Sequence, residues 1–290
     1  MAKIVLPPIS PEHREFNRRA ALAEDRIAKY VVPLYGTDER KQRYVIGSGV
    51  LVCIQQDGFL VTAAHVLDEH LRAQTNIEVP GRGALMPLSG QAIKTPLPQS
   101  GRREDDPLDI GVVPLPPELV DDLLAHFTFL DVARVDASDV PAPQTRYTFV
   151  GYPSSQHDGP RGGVLTIEPV RLSSDALPRD KYPSGFELET HVCIDFDAKR
   201  MVARSERLQT PPDPHGVSGG GVFRIGTWDE IIAGTNQERL VAIAIEVRKQ
   251  EHCLVGTRVA FPLEMIRAQF PQLSSSIPSS RYLRVNVSTP

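Results

Sequence analysis

The feature that most restricts the fold of this chain is a recurring pattern: short runs rich in valine, isoleucine, leucine and aromatic residues, each closed off by turn residues. YVVPLY, RYVIGSGVLVCI, GFLVTAAHVL and LDIGVVPL carry it through the first part of the chain. YTFVGYP, GGVLTIEPVRL, FELETHVCIDF, GGGVFRI, RLVAIAIEVR and TRVAFP repeat it through the second. Such runs match antiparallel strands joined by hairpins, and the Asp57–Gly58 step between VLVCIQQ and FLVTAA is the clearest turn signal among them. Between the two series lie PELVDDLLAHF, which reads as a short helix, and VARVDASDVPAPQT, which reads as a linker. The pattern therefore predicts a mainly β protein built as two barrels or sandwiches in tandem.

Apart from that short segment, PELVDDLLAHF, helical signal lies towards the ends. From Pro11 to about Lys29 the chain has helix formers throughout and no interior glycine or proline, and PLEMIRAQF predicts a closing helix with Pro262 in its first turn. The alternation in RYLRVNVS fits either an edge strand or a mobile tail. Residues 80 to 107, with their glycines, prolines and the polar run QSGRREDD, read as strands joined by a long surface loop.

Composition excludes several classes of function. With 41% hydrophobic and 23% charged residues over 290 positions, the chain can bury a large core. A net charge of −4 gives no electrostatic case for nucleic acid or an anionic membrane as partner. The start of the sequence lacks the long apolar stretch of a secretory signal, and no run approaches the roughly 20 apolar residues that span a bilayer, so a cytoplasmic location is expected. Cys53, Cys193 and Cys253 are isolated in sequence and read as reduced thiols, and the 8 histidines show no paired ligand spacing. Neither a metal nor another cofactor is expected.

The candidate chemistry centres on GVSGGG, residues 216–221, where glycines flank Ser218. Glycine admits positive φ and close backbone approach, so the run fits a turn shaped to present one hydroxyl. Serine is a weak nucleophile alone and needs a base and an orienting acid. FLVTAAHVL places His65 just after an apolar strand with small Ala63 and Ala64 beside it, and DDPLDIGVVPL places Asp109 at the entrance to another. Taken alone, each reads more readily as a satisfied core histidine or a turn aspartate than as part of a site. Their order along the chain, His65, Asp109, Ser218, is that of one known triad arrangement and not of the serine-first or aspartate-first ones.

On these residues the sequence resembles the trypsin-like, chymotrypsin-fold serine peptidases. The resemblance rests on T-A-A-H at 62–65, D-I-G-V at 109–112 and G-V-S-G-G at 216–220, with G-S-G-V-L-V at 47–52 and G-Y-P at 151–153 as further shared features. It is closest in pattern to stand-alone bacterial trypsin-like peptidases and the HtrA-type protease domain, and it covers roughly residues 28–270. It implies two antiparallel six-stranded β-barrels. The first, at 28–126, would carry His65 and Asp109, and the second, at 146–270, Ser218. A helical extension at 1–27, a linker at 127–145 and a tail at 271–290 complete the chain.

The resemblance also implies roles. Ser218 would attack a peptide carbonyl, His65 would take and return its proton, Asp109 would hold the imidazole, and the backbone N–H groups of Gly216 and Ser218 would form the oxyanion hole. The substrate wall would come from Asp213, His215 and the strand residues Ala244, Ile245 and Glu246. Asp213 and Glu246 read either as selectors of a basic side chain or as solvated charges. The implied partner is a protein or peptide substrate, held as an added strand.

Three departures stand out. Val217 replaces the aspartate that zymogen-activated members place before the serine, Gly221 replaces a usual proline and loosens the turn, and Val66 replaces the cysteine that often follows the histidine. Without the zymogen device, control by a regulatory protein partner is expected, through the chain ends and QSGRREDD. The function expected is thus an intracellular serine endopeptidase. Its alternatives are a catalytically silent fold of the same type that binds a peptide or partner, and a triad hydrolase of another fold, which the absence of βαβ alternation disfavours. If His65 is the base, the hydrolysis rate rises through about pH 6.5 to 7, where an ordinary imidazole loses its proton, and a profile flat from about pH 5 to 8 would overturn that assignment.

Overall fold

The computed structural model describes residues 10–37, 42–73, 76–142, 144–154, 168–196 and 216–283. The protein is mainly β, with two largely antiparallel sheets and a few helices. The first sheet contains β1 (Val31–Thr37), β2 (Arg43–Ile54), β3 (Asp57–Ala63), β4 (Glu78–Pro80), β5 (Leu85–Pro87), β6 (Ile93–Lys94) and β7 (Ile110–Leu115), in the order β5-β4-β1-β2-β3-β7-β6. A two-residue strand, β8 (Leu130–Asp131), pairs parallel with β2. This sheet thus has eight strands where six were expected. Two of them, β5 and β6, are pieces of three and two residues within 80–107, the stretch expected to hold strands joined by a surface loop, and β8 comes from the segment expected to be a linker.

The second sheet contains β9 (Thr145–Gly151), β10 (Val170–Asp175), β11 (His191–Asp195), β12 (Gly221–Thr227), β13 (Arg239–Arg248) and β14 (Cys253–Arg258). Its order is β10-β9-β12-β13-β14-β11, and an isolated antiparallel bridge between Ala176 and Ile194 links its two ends. Much of GGVLTIEPVRL and most of RYLRVNVS lie outside the described residues.

The hairpin between β2 and β3 forms, but its turn is not Asp57–Gly58. Ile54 pairs with Asp57 and Cys53 with Gly58, which leaves Gln55 and Gln56 as the two-residue turn, with Gln55 at φ 58°. A Cβ on Gly58 would lie 2.7 Å from Val120 Cγ2, so packing against α3 (Pro117–Leu123) demands the glycine there. Gly221 likewise is no loose turn residue: it opens β12, paired with both Ile243 and Val150.

Helix α1 (Pro11–Ala28) begins on Ser10, whose hydroxyl accepts the His13 N–H at 3.2 Å, with proline at the first helical position. It is docked rather than free. Its Phe16 ring stacks on Trp228 at 4.4 Å, and Arg19 donates to the carbonyl of Ile232 at the end of α4 (Trp228–Ala233). Buried Glu24 accepts from Arg146 and Ser173 on the second sheet. Helix α4 went unrecognised in the sequence, although Thr227 and Glu230 form a capping box and Gly234, at φ 72°, ends it. After β3 comes α2 (Ala64–Ala73), and α5 (Ala260–Gln269) follows β14, starting two residues before Pro262, and lies against β7 of the first sheet.

One hydrophobic cluster runs through both sheets, joining Val50, Leu60 and Val112 to Phe223, Leu240 and Ile243. The segment between the sheets is tied to both: Arg134 donates to Tyr30 Oη at 2.6 Å and to the buried carboxylate of Glu238 at 2.5 Å. Among the described residues, no helix is long and apolar enough to cross a membrane. Because Phe16 holds α1 to α4, Phe16→Ala is expected to cost about 1–3 kcal/mol of unfolding free energy and several degrees of melting temperature, as read by thermal and denaturant unfolding.

Candidate functional site

His65 is the second residue of α2, and the first turn of that helix has backbone N–H groups with no intrahelical partner. Asp109 supplies them from outside. Its backbone carbonyl accepts the N–H of Ala64 at 2.9 Å and its Oδ1 accepts that of His65 at 2.8 Å. Its Oδ2 lies 2.5 Å from Nδ1 of the imidazole. One buried carboxylate thus caps the helix electrostatically and fixes the ring, leaving Nε2 as the nitrogen not engaged by Asp109. The His65 side chain is 37% exposed, so the site is open to a ligand.

Asp109 reaches this position through a left-handed backbone, at φ 46°, a conformation that aspartate tolerates better than most residues. The turn before it is anchored to α2 by a second route. Asp68, one helical turn after His65, accepts from Arg103 Nε at 2.7 Å, and Arg103 Nη1 donates at 2.7 Å to Asp106 Oδ2. Asp106 in turn accepts the N–H of Leu108. Salt-bridge partners depress the Asp68 carboxyl below its ordinary range, overcoming the opposing effect of its burial. QSGRREDD is therefore not wholly a surface loop: Arg103 is 6% exposed and Asp106 9%. Arg102, Glu104 and Asp105 stay at the surface, paired with one another.

Ser218 is half-buried and lies in a turn seated on the first sheet. Its backbone carbonyl accepts the N–H of Ser48 at 2.8 Å. Gly219, at φ 85°, passes so close to β2 and β3 that a Cβ there would fall 2.0 Å from the Ser48 carbonyl oxygen and 2.1 Å from Thr62 Oγ1. Thr62 stands three residues before His65, so the serine turn and the histidine strand meet directly. Gly216, at φ 87°, would place a Cβ 2.7 Å from the N of Ser154, which excludes any side chain. Val217 sits in an apolar cluster with Tyr147, Phe149 and Val222, so the turn is braced by hydrophobic contact. Among the described residues, no acceptor pairs with the N–H of Gly216 or of Ser218.

Ser48 is the residue that sequence reading missed. Its buried hydroxyl accepts the N–H of Tyr152 at 2.8 Å and donates to the carbonyl of Gly216 at 3.1 Å, while its carbonyl accepts from Thr62 Oγ1 at 2.6 Å. The available signal was G-S-G inside an apolar strand run, where a polar residue is buried only if its hydrogen bonds are met.

The substrate-wall residues divide. Asp213 and His215 lie outside the described residues. Ala244 supports the serine turn: its carbonyl accepts the N–H of Gly219 at 2.7 Å and its own N–H donates to Gly220 at 2.8 Å. The Ile245 carbonyl accepts from Ser218 Oγ at 3.2 Å. Glu246 is half-exposed and bonded to Arg248 Nε at 2.6 Å. Among the described residues, no group of three or more histidine, cysteine, aspartate or glutamate side chains is placed to hold a metal ion.

No family model matches this chain, and no curated protein does. Among solved structures, it is similar to one from work on the coupled folding and binding of the Sesbania mosaic virus VPg protein, with 13% identity, a TM-score of 0.43, and coverage of 82% of this chain and 89% of that one. It is also similar to a structure of GrC, with 13% identity, a TM-score of 0.48, and coverage of 87% and 96%. Likenesses this distant carry no chemistry across, and the site's chemistry follows from its own residues. Removing the Ser48 hydroxyl takes the acceptor from the N–H of buried Tyr152 and the donor from the Gly216 carbonyl, so Ser48→Ala is expected to cost about 1–3 kcal/mol in denaturant unfolding.

Proposed function

We propose that this protein is a serine endopeptidase of the chymotrypsin-like type, with His65, Asp109 and Ser218 as its triad and the N–H groups of Gly216 and Ser218 as its oxyanion hole. The observation that carries the reading is the placement of one buried carboxylate on both the N–H and the Nδ1 of His65, at the edge where the Ser218 turn rests on Thr62. In this reading the two sheets are the two barrels of that fold.

The chemistry runs as follows. Ser218 Oγ adds to the substrate carbonyl carbon while its proton passes to His65 Nε2, and the carbonyl oxygen becomes an oxyanion facing the two N–H groups. The imidazolium, held by Asp109 through Nδ1–H, then donates its new proton to the leaving amine nitrogen as the C–N bond breaks. Water repeats both transfers on the resulting ester and frees the serine. The two donors would together supply several kcal/mol, at about 3 kcal/mol for each such group.

A protein or peptide is the substrate, laid as an extended strand beside β13. Paired with Arg248, Glu246 is a weakened selector of basic side chains. Three free cysteines accord with a reducing, cytoplasmic setting, and a protein partner is the natural means of control.

One observation favours a second reading, a silent binding module: the Ser218 hydroxyl points its bond at the Ile245 carbonyl. Hydroxyl rotors turn readily, and resting enzymes often lack their productive bond. Treatment with a fluorophosphonate separates the two readings. Wild type is expected to label and Ser218→Ala and His65→Ala to lose at least about a hundredfold in rate. A folded wild type that stays unlabelled would support the binding module.

A further inference from the structure

The acid of the proposed triad belongs to the first sheet, yet the turn that carries it is gripped by the second. Across β11 and β14, His191 and Thr257 are direct cross-strand partners, and both are buried, at 1% and 0% exposure. Their side chains reach two successive carbonyls immediately before Asp109. His191 Nε2 donates to Pro107 at 2.7 Å, and Thr257 Oγ1 donates to Leu108 at 2.6 Å.

The imidazole's protonation is set by its other nitrogen. Nδ1 accepts the N–H of Glu187 at 3.4 Å and lies 2.7 Å from Thr190 Oγ1, so Nε2 carries the proton. Burial holds His191 below the ordinary imidazole range, against the raising effect of its backbone bonds, and Arg258 lowers it further. Phe186 packs edge-on against the ring at 4.8 Å. The donor is thus fixed in direction and neutral.

These bonds do a specific task. Asp109 sits at φ 46°, and its carboxylate is useful only if the turn before it is held in one geometry. From the α2 side the turn is held by Asp106 and Arg103. Thr95 Oγ1 joins them, donating to Asp106 Oδ2 at 2.5 Å and accepting the N–H of Ile110 at 3.2 Å. From the second sheet it is held by His191 and Thr257, through the carbonyls of Pro107 and Leu108. We propose that His191 and Thr257 are positioning residues for the acid of the triad, so that docking of the second sheet sets the orientation, and hence the basicity, of His65. This rests on the proposed triad. Under it, the second sheet supplies the nucleophile and also one side of the clamp that readies the base.

The test is an NMR titration of the His65 ring in the full chain, alongside the fluorophosphonate labelling rate of Ser218 against pH. Thr257→Val removes one donor with little change of shape. His191→Leu removes the other, and His191→Gln returns an N–H near the same place. Thr257→Val is expected to lower the His65 titration midpoint by about half a unit or more and the labelling rate by about threefold to tenfold, with His191→Leu larger and His191→Gln in between. A folded Thr257→Val protein with wild-type midpoint and rate would overturn the proposal, even if His191→Leu failed to fold. If wild type did not label at all, the peptidase reading would fall while the titration still decided the clamp.

Discussion

The hydroxyl of Ser48 lies at zero exposure in the middle of an apolar strand, and everything near the site is arranged around satisfying it. A buried hydroxyl without partners costs on the order of 1–3 kcal/mol, so its bonds to Tyr152 and Gly216 act as a constraint on where the second sheet can sit. Its backbone adds two more, to Ser218 and Thr62. Four bonds from one residue thus fix the strand before His65, the turn holding Ser218, and the chain leaving β9. The requirement for glycine at 219 follows from this crowding, since any Cβ would strike the Ser48 carbonyl.

Asp109 meets a second constraint of the same kind. The start of α2 needs acceptors for its N–H groups, and the carboxylate that provides one also orients the imidazole. Helix capping and the orientation of an imidazole are here one interaction. The chain from Asp68 through buried Arg103 and Asp106 then closes a loop from α2 back to the turn that holds Asp109. Charged groups this deep are tolerated because each finds a charged partner or a backbone group.

How far the sequence could be read depended on the range of the forces involved. Strand runs such as RYVIGSGVLVCI and RLVAIAIEVR show in the alternation and β-branching of neighbouring residues, which is local information, and both became long strands. The helix at Pro11 was legible for the same reason. The hairpin at β2–β3 was found, but its turn was misplaced by two residues because Gly58 is required by Val120 and Phe129, more than sixty positions away. QSGRREDD reads as exposed because charge normally means solvent, and Arg103 is buried only because Asp68 on another element, Asp106 and the Thr95 carbonyl all accept from it. Helix α4 had a local signal, the Thr227 and Glu230 capping box, that was present and overlooked.

For the candidate site, the sequence by itself determined the residue types and their order: an imidazole after a strand, a carboxylate before another, and a serine between glycines. Those follow from chain-local chemistry, because small residues must flank a turn and apolar runs must make strands. Tertiary structure alone decided that Asp109 caps the helix of His65, that Ser48 anchors the turn of Ser218, and that His191 and Thr257 grip the chain ahead of the acid. Each of these is a hydrogen bond between residues distant in sequence. A donor's type can be read from the chain, but its acceptor is chosen only when burial removes water and leaves one partner within reach.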